Sequence, residues 1–143
     1  MAHEMVKLLR RREDGTLSSL FFYGPELTLS YPEEADIEHD HMFLFEREDQ
    51  AQTYRWRLFN GHPLWPSIEL WRVQVFSSIL PVEYVLRTPD VEKFQEEFWT
   101  RFTSTRLLQT MARRHPGLRF QKAPAGAFIC YKLRLLECIA AGK

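Results

Sequence analysis

Glu38-His39-Asp40-His41 is the part of the chain where residue types most resemble a chemical site. On an extended strand, His-X-His puts both imidazoles on one face about 6.5–7 Å apart, within reach of a single metal ion. A closed site needs four ligands, however, and Asp36, His62 and His115 stand at no spacing that requires them to fold back and complete it. The segment is therefore read as a solvated acidic loop that holds no metal. Its neighbouring carboxylates favour the imidazolium form, so the alternative is a pH-sensitive patch.

The aromatic residues are the second group: Trp56, Trp65, Trp71 and Trp99, with Tyr54 and Tyr84. In a small domain most such side chains supply the core. Trp65 differs, because it lies in the loop His62-Pro63-Leu64-Trp65-Pro66, where it either plugs the core or is displayed to a partner. Trp71, Tyr84 and Tyr131 fall on predicted strands, as do Glu69 and Arg72. If those strands enclose a pocket, these residues are its lining, and a tyrosine donor with an acidic base could support a cofactor-free cyclisation or isomerisation.

The third group is basic. Arginine outnumbers lysine fourteen to five, and Arg10, Arg11, Arg12, Arg113, Arg114, Arg119 and Lys122 converge if the chain's first hairpin meets the end of its later helix. Guanidinium forks suit phosphate or carboxylate groups. Alternation along a strand would nevertheless separate Arg11 from Arg10 and Arg12. The zero net charge and a sequence pI near 7.0 argue against nucleic acid as the partner. No Gly-X-Gly-X-X-Gly, Walker loop, Gly-X-Ser-X-Gly or His-Glu-X-X-His is present, and no cofactor is expected.

The neutral total conceals a division. Between Pro32 and Gln50 stand Glu33, Glu34, Asp36, Glu38, Asp40, Glu46, Glu48 and Asp49 against Arg47 alone; from Arg101 onward nine Lys or Arg face only Glu137. Such asymmetry shapes association rather than fold. With 143 residues, 45% of them apolar and 14% aromatic, the chain is expected to fold as one domain, residues 1–4 being a disordered or vector-derived extension. Cys130 and Cys138 would lie about 26 Å apart on one strand, beyond disulfide reach, which suits reduced thiols and a cytoplasmic location. No secretory signal and no apolar run long enough for a membrane span are seen.

These residues need elements to position them. Two extended runs flank Glu13-Asp14-Gly15-Thr16, a hairpin signal. Short strands are expected over 27–31 and 42–45, with a loop through the acidic stretch between them. Helical spacing covers 46–59, closed by Asn60-Gly61-His62-Pro63. Strands follow over 68–76 and 81–86. Thr88-Pro89-Asp90 then opens a second, long helix, carried to Arg114 by an apolar stripe through Val91, Phe94, Phe98 and Phe102. Strands over 118–121 and 127–139 complete an α+β domain: a mostly antiparallel sheet of six or seven strands with one short and one long helix on one face.

The expected function is a protein-interaction or binding module that uses the acidic loop and the basic C-terminal part, with self-association as a corollary. The binding residues would be Glu38, His39, His41, Trp65, Trp71, Tyr84, Arg113, Arg114 and Tyr131. The alternative is a cofactor-free enzyme or small-molecule-binding protein with an aromatic-lined pocket, in which case a closed apolar cavity should be present.

Overall fold

The computed structural model describes residues 3–19, 30–82, 84–87, 98–100 and 119–140. Strand β1 (His3–Arg11) turns through residues 12–16 into β2 (Leu17–Ser19). Arg12 N–H donates to the Thr16 carbonyl at 2.8 Å, and Gly15 takes a φ of +89°, which only glycine adopts without strain. Strand β3 (Asp36–Phe45) leads into helix α1 (Glu48–Phe59), whose first turn carries Glu48 and Asp49 at the positive end of its dipole. A 3-10 turn (Trp65–Ser67) precedes β4 (Ile68–Val75) and the short β5 (Leu80–Pro81). Strands β6 (Tyr84–Arg87), β7 (Phe98–Thr100) and β8 (Arg119–Lys122) pair in the order β7-β6-β8, and β9 (Ala127–Ala140) returns to the main sheet.

Among the described residues every strand pairing is antiparallel. The main sheet runs β2-β1-β3-β9-β4, and β4 also pairs with β1 from His3↔Val75 to Arg10↔Ile68. Strands β1, β3, β9 and β4 thus form a closed circuit. Because side chains alternate along a strand, the circuit sorts them into two cores. Met5, Leu9, Met42, Leu44, Val73 and Leu133 belong to the inner one. Val6, Leu8, Phe43, Phe45, Ile68 and Leu70 face the other way and meet Ala51, Tyr54 and Phe59 of α1. This is why Met5-Val6-Lys7-Leu8-Leu9 is buried throughout rather than at every second residue.

The mostly antiparallel sheet and the helix over 46–59 agree with expectation, and three features do not. Phe98–Thr100 is a strand paired with Tyr84–Leu86, which interrupts the predicted long helix. Phe98, Thr100 and Phe102 satisfy a period of two as readily as the helical stripe, and Phe-Trp-Thr are strand-favouring residues. Among the described residues α1 is the one α-helix; the remainder of 88–114 and the predicted strand residues 27–29 lie outside them. The acidic stretch is a strand from Asp36 onward, not a loop. Asp36-Ile37-Glu38 alternates polar and apolar, with Ile37 in the inner core, and total charge had masked that alternation. Finally, His3 and Glu4 are not disordered but pair with Val75 and Gln74 as part of β1. No helix among the described residues is long and apolar enough to cross a membrane.

Candidate functional site

The acidic and basic stretches, separated by about a hundred positions in the chain, are neighbours in the sheet. In register, Asp36 faces Arg134 and Glu38 faces Lys132, with Nε–Oδ1 at 2.9 Å in the first pair and Nζ–Oε1 at 3.4 Å in the second. On the other side of β9, Gln74 lies against Arg134, and Arg72 forms an ion pair with Glu137. One face of β3-β9-β4 therefore carries a column of acids beside a column of bases. The side chains of Asp36, Lys132, Arg134 and Arg72 are all between 40% and 46% exposed, so these pairs stay wet. Exposed apolar side chains adjoin them: Phe76 beyond the end of β4 and Leu136 at the β9 bulge opposite Arg72 and Val73.

The register breaks in the same region. Three residues of β3, 39–41, stand opposite Tyr131 alone, between Glu38↔Lys132 and Met42↔Cys130. Ser77 stabilises this bulge, because its hydroxyl oxygen accepts from the amides of Tyr131 (2.9 Å) and Lys132 (3.3 Å). His39 Nε2 lies 3.4 Å from the Ser30 carbonyl oxygen, and its ring meets Tyr31 edge-on at 5.9 Å. The two histidines are thus in a bulge rather than on a regular strand. Among the described residues no three His, Cys, Asp or Glu converge as metal ligands.

A second polar cluster caps the inner core. Arg11 grips Glu69 with both arms, Nε to Oε2 at 3.1 Å and Nη2 to Oε1 at 3.0 Å, while Trp71 Nε1 donates to Oε1 at 3.0 Å. Burial works to raise the Glu69 carboxyl, but the Arg11 and Trp71 bonds outweigh it and hold the group below its ordinary range. Burial raises the Cys138 thiol near the same carboxylate, and the Glu69 charge adds to the effect. Deeper in, Lys7 is fully buried, with Nζ donating to the Phe43 carbonyl at 2.5 Å and sitting 4.9 Å above the Tyr31 ring. Desolvation lowers its amine to about 8, and the same burial pushes the Cys130 thiol up to about 11. The Tyr31 hydroxyl, buried among them, has no hydrogen-bond partner among the described residues.

The expected site residues divide accordingly. Glu38, His39 and Tyr131 are placed at the β3–β9 bulge, without a contact shown between their side chains; His41 is in the same strand, but its side chain is outside the described part. Trp71 is a buried core residue whose indole N–H donates to Glu69. Trp65 is half-buried against the outer core under the Arg55 guanidinium, 4.2 Å from the ring centre. Tyr84 pairs with Thr100 and Lys122, and nothing is described of its side chain; Arg113 and Arg114 lie outside the described residues. Sequence reasoning missed Asp36, Lys132 and Arg134 as site residues, although Lys132 and Arg134 alternate with Tyr131, Leu133 and Leu135 in a way that already placed them on one face. Compared with protein-family models, curated proteins and solved structures, the chain matches none of them.

Proposed function

We propose that the protein is an interaction module that binds a second copy of itself through the exposed β3-β9-β4 face. The observation that carries this reading is the pair of adjacent columns, Asp36 and Glu38 beside Arg134 and Lys132. Adjacent strands are about 4.8 Å apart, so a two-fold rotation brings each acidic column onto the basic column of the other copy. Exposed ion pairs contribute roughly 0–1 kcal/mol each within one molecule, which leaves these groups free to exchange partners. Phe76 and Leu136 supply apolar contact beside the charges. This replaces two remote patches of opposite sign with a single self-complementary surface. The pocket alternative loses support because Trp71, one of its three expected aromatic walls, is packed in the inner core with Leu9, Leu44 and Val73.

The test is oligomeric state by sedimentation equilibrium across a salt series. The wild type should dimerise at low salt, with the dissociation constant rising as the Debye length falls below about 10 Å. Lys132→Glu with Arg134→Glu should weaken the dimer by about tenfold or more, and adding Asp36→Arg with Glu38→Lys should restore it. A wild type that is monomeric at every concentration and salt would sink the reading.

A further inference from the structure

We propose that the cleft at the turn end of the β1–β2 hairpin binds a phosphate monoester through Arg10 and Arg12. The cleft has a volume of about 570 Å³, and Arg10, Arg12, Thr16, Leu17, Ser18 and Ser30 form its walls, with Glu13 and Asp14 at the turn. That volume falls within the range of about 300–1,000 Å³ usual for small-ligand sites. Strand alternation sends Arg10 and Arg12 to one side and Arg11 to the other, where Glu69 and the Gly15 carbonyl engage Arg11. The two guanidinium groups left in the cleft are not satisfied in this way. Arg10 lies in register with Ser18, and its Nε is buried with no hydrogen-bond partner among the described residues. Arg12 is fixed by a 2.8 Å bond from its Nε to the Ser18 hydroxyl oxygen, which sets the plane of its fork and leaves both terminal nitrogens to act as donors.

The carboxylates nearby offset part of this charge, but among the described residues they bond neither fork. Asp14 is engaged in the turn, accepting from the Thr16 amide at 3.0 Å and the Thr16 hydroxyl at 2.6 Å. Glu13 attracts Arg10, yet the repulsion Arg10 feels from Arg12 is the larger of the two, after burial itself. Two guanidinium groups that line one cleft and bond no carboxylate among the described residues suit an oxyanion. A phosphate monoester offers three terminal oxygens and close to two negative charges, enough to engage both forks while Thr16 and Ser18 stand beside it. A monocarboxylate has only two oxygens and one charge, so it should bind more weakly.

Titration calorimetry with phenyl phosphate, and separately with acetate, tests this on the whole chain. One saturable phenyl phosphate site is expected, with acetate at least about tenfold weaker. Arg10→Gln and Arg12→Gln should each weaken phenyl phosphate by about tenfold or more, whereas Arg47→Gln, remote and paired with Asp49, should leave it unchanged. Arg12→Lys keeps the charge but loses the fork, and it should also weaken binding even if Arg10→Gln fails to fold. Absence of saturation, a loss of equal size in Arg47→Gln, or full retention in Arg12→Lys would each overturn the proposal.

Discussion

Two sets of ion pairs on the same four strands behave oppositely, and burial is the difference. Arg11 and Glu69 meet at the rim of the inner core, where the Glu69 side chain is only 11% exposed and Trp71 shares its oxygen. Asp36–Arg134, Glu38–Lys132 and Arg72–Glu137 cross the outer face in water. In the first set, removing Arg11 strands the Glu69 carboxylate with little water to replace its partner. In the second, water replaces the partner at almost no cost. The inner pair therefore holds the fold, while the outer pairs constitute an exchangeable surface.

Glu69→Ala is the sharpest way to break this contrast. It removes the acceptor of the Trp71 indole N–H and the bidentate partner of Arg11, which keeps the Gly15 carbonyl, and we expect a loss of about 2–3 kcal/mol by denaturant unfolding, less than the 3–5 kcal/mol of a fully buried pair because Arg11 is also about a third exposed. A loss below 0.5 kcal/mol, roughly what a surface change costs, would mean the inner pair is no different from the outer ones.

Lys7 tests the same idea through pH. Its folded amine titrates near 8 against 10.5 when exposed, so between those values the unfolded chain holds more protons and stability should rise with pH. Cys130 acts in the opposite sense from pH 9 to about 11, because the folded chain then keeps the proton that the unfolded one loses. Stability should therefore climb from pH 8 to 9 and level off above that. Lys7→Met should abolish the climb and expose the decline due to Cys130. Unfolding free energies measured at half-unit intervals from pH 7.5 to 10 would show either pattern; parallel curves for the two proteins would mean that Lys7 does not titrate in this range.

The smallest effect belongs to the outer face. Arg134→Ala should change monomer stability by no more than about 0.5–1 kcal/mol, since the Asp36 carboxylate it releases is already wet. Unfolding followed at high salt, where the proposed association would be suppressed, isolates that value. A loss as large as that of Glu69→Ala would show that the charge columns are structural and would remove the basis for a docking face.

Much of the local architecture was legible in the residues. The Asp14-Gly15 turn, the helix over 46–59 with its early acids, and the strand from Ile68 each carry a signal within a few residues, and each forms. The separation of Arg11 from Arg10 and Arg12 also followed from alternation alone. Phe98–Thr100 was illegible because an apolar residue every fourth position fits a strand face as well as a helix stripe, and pairing with β6 selected the strand. The Arg11–Glu69 contact spans 58 positions and no local pattern marks it.

By itself, the sequence determined composition, turn chemistry and alternation, because these depend on the conformational preferences of neighbouring residues. It also determined that acids collect in one stretch and bases in another. Only the tertiary structure decided that the two stretches lie side by side, since strand register is set by which apolar faces bury together around the closed circuit of β1, β3, β9 and β4. Ile37 against Leu133 in the inner core leaves Asp36 and Glu38 no position except opposite Arg134 and Lys132.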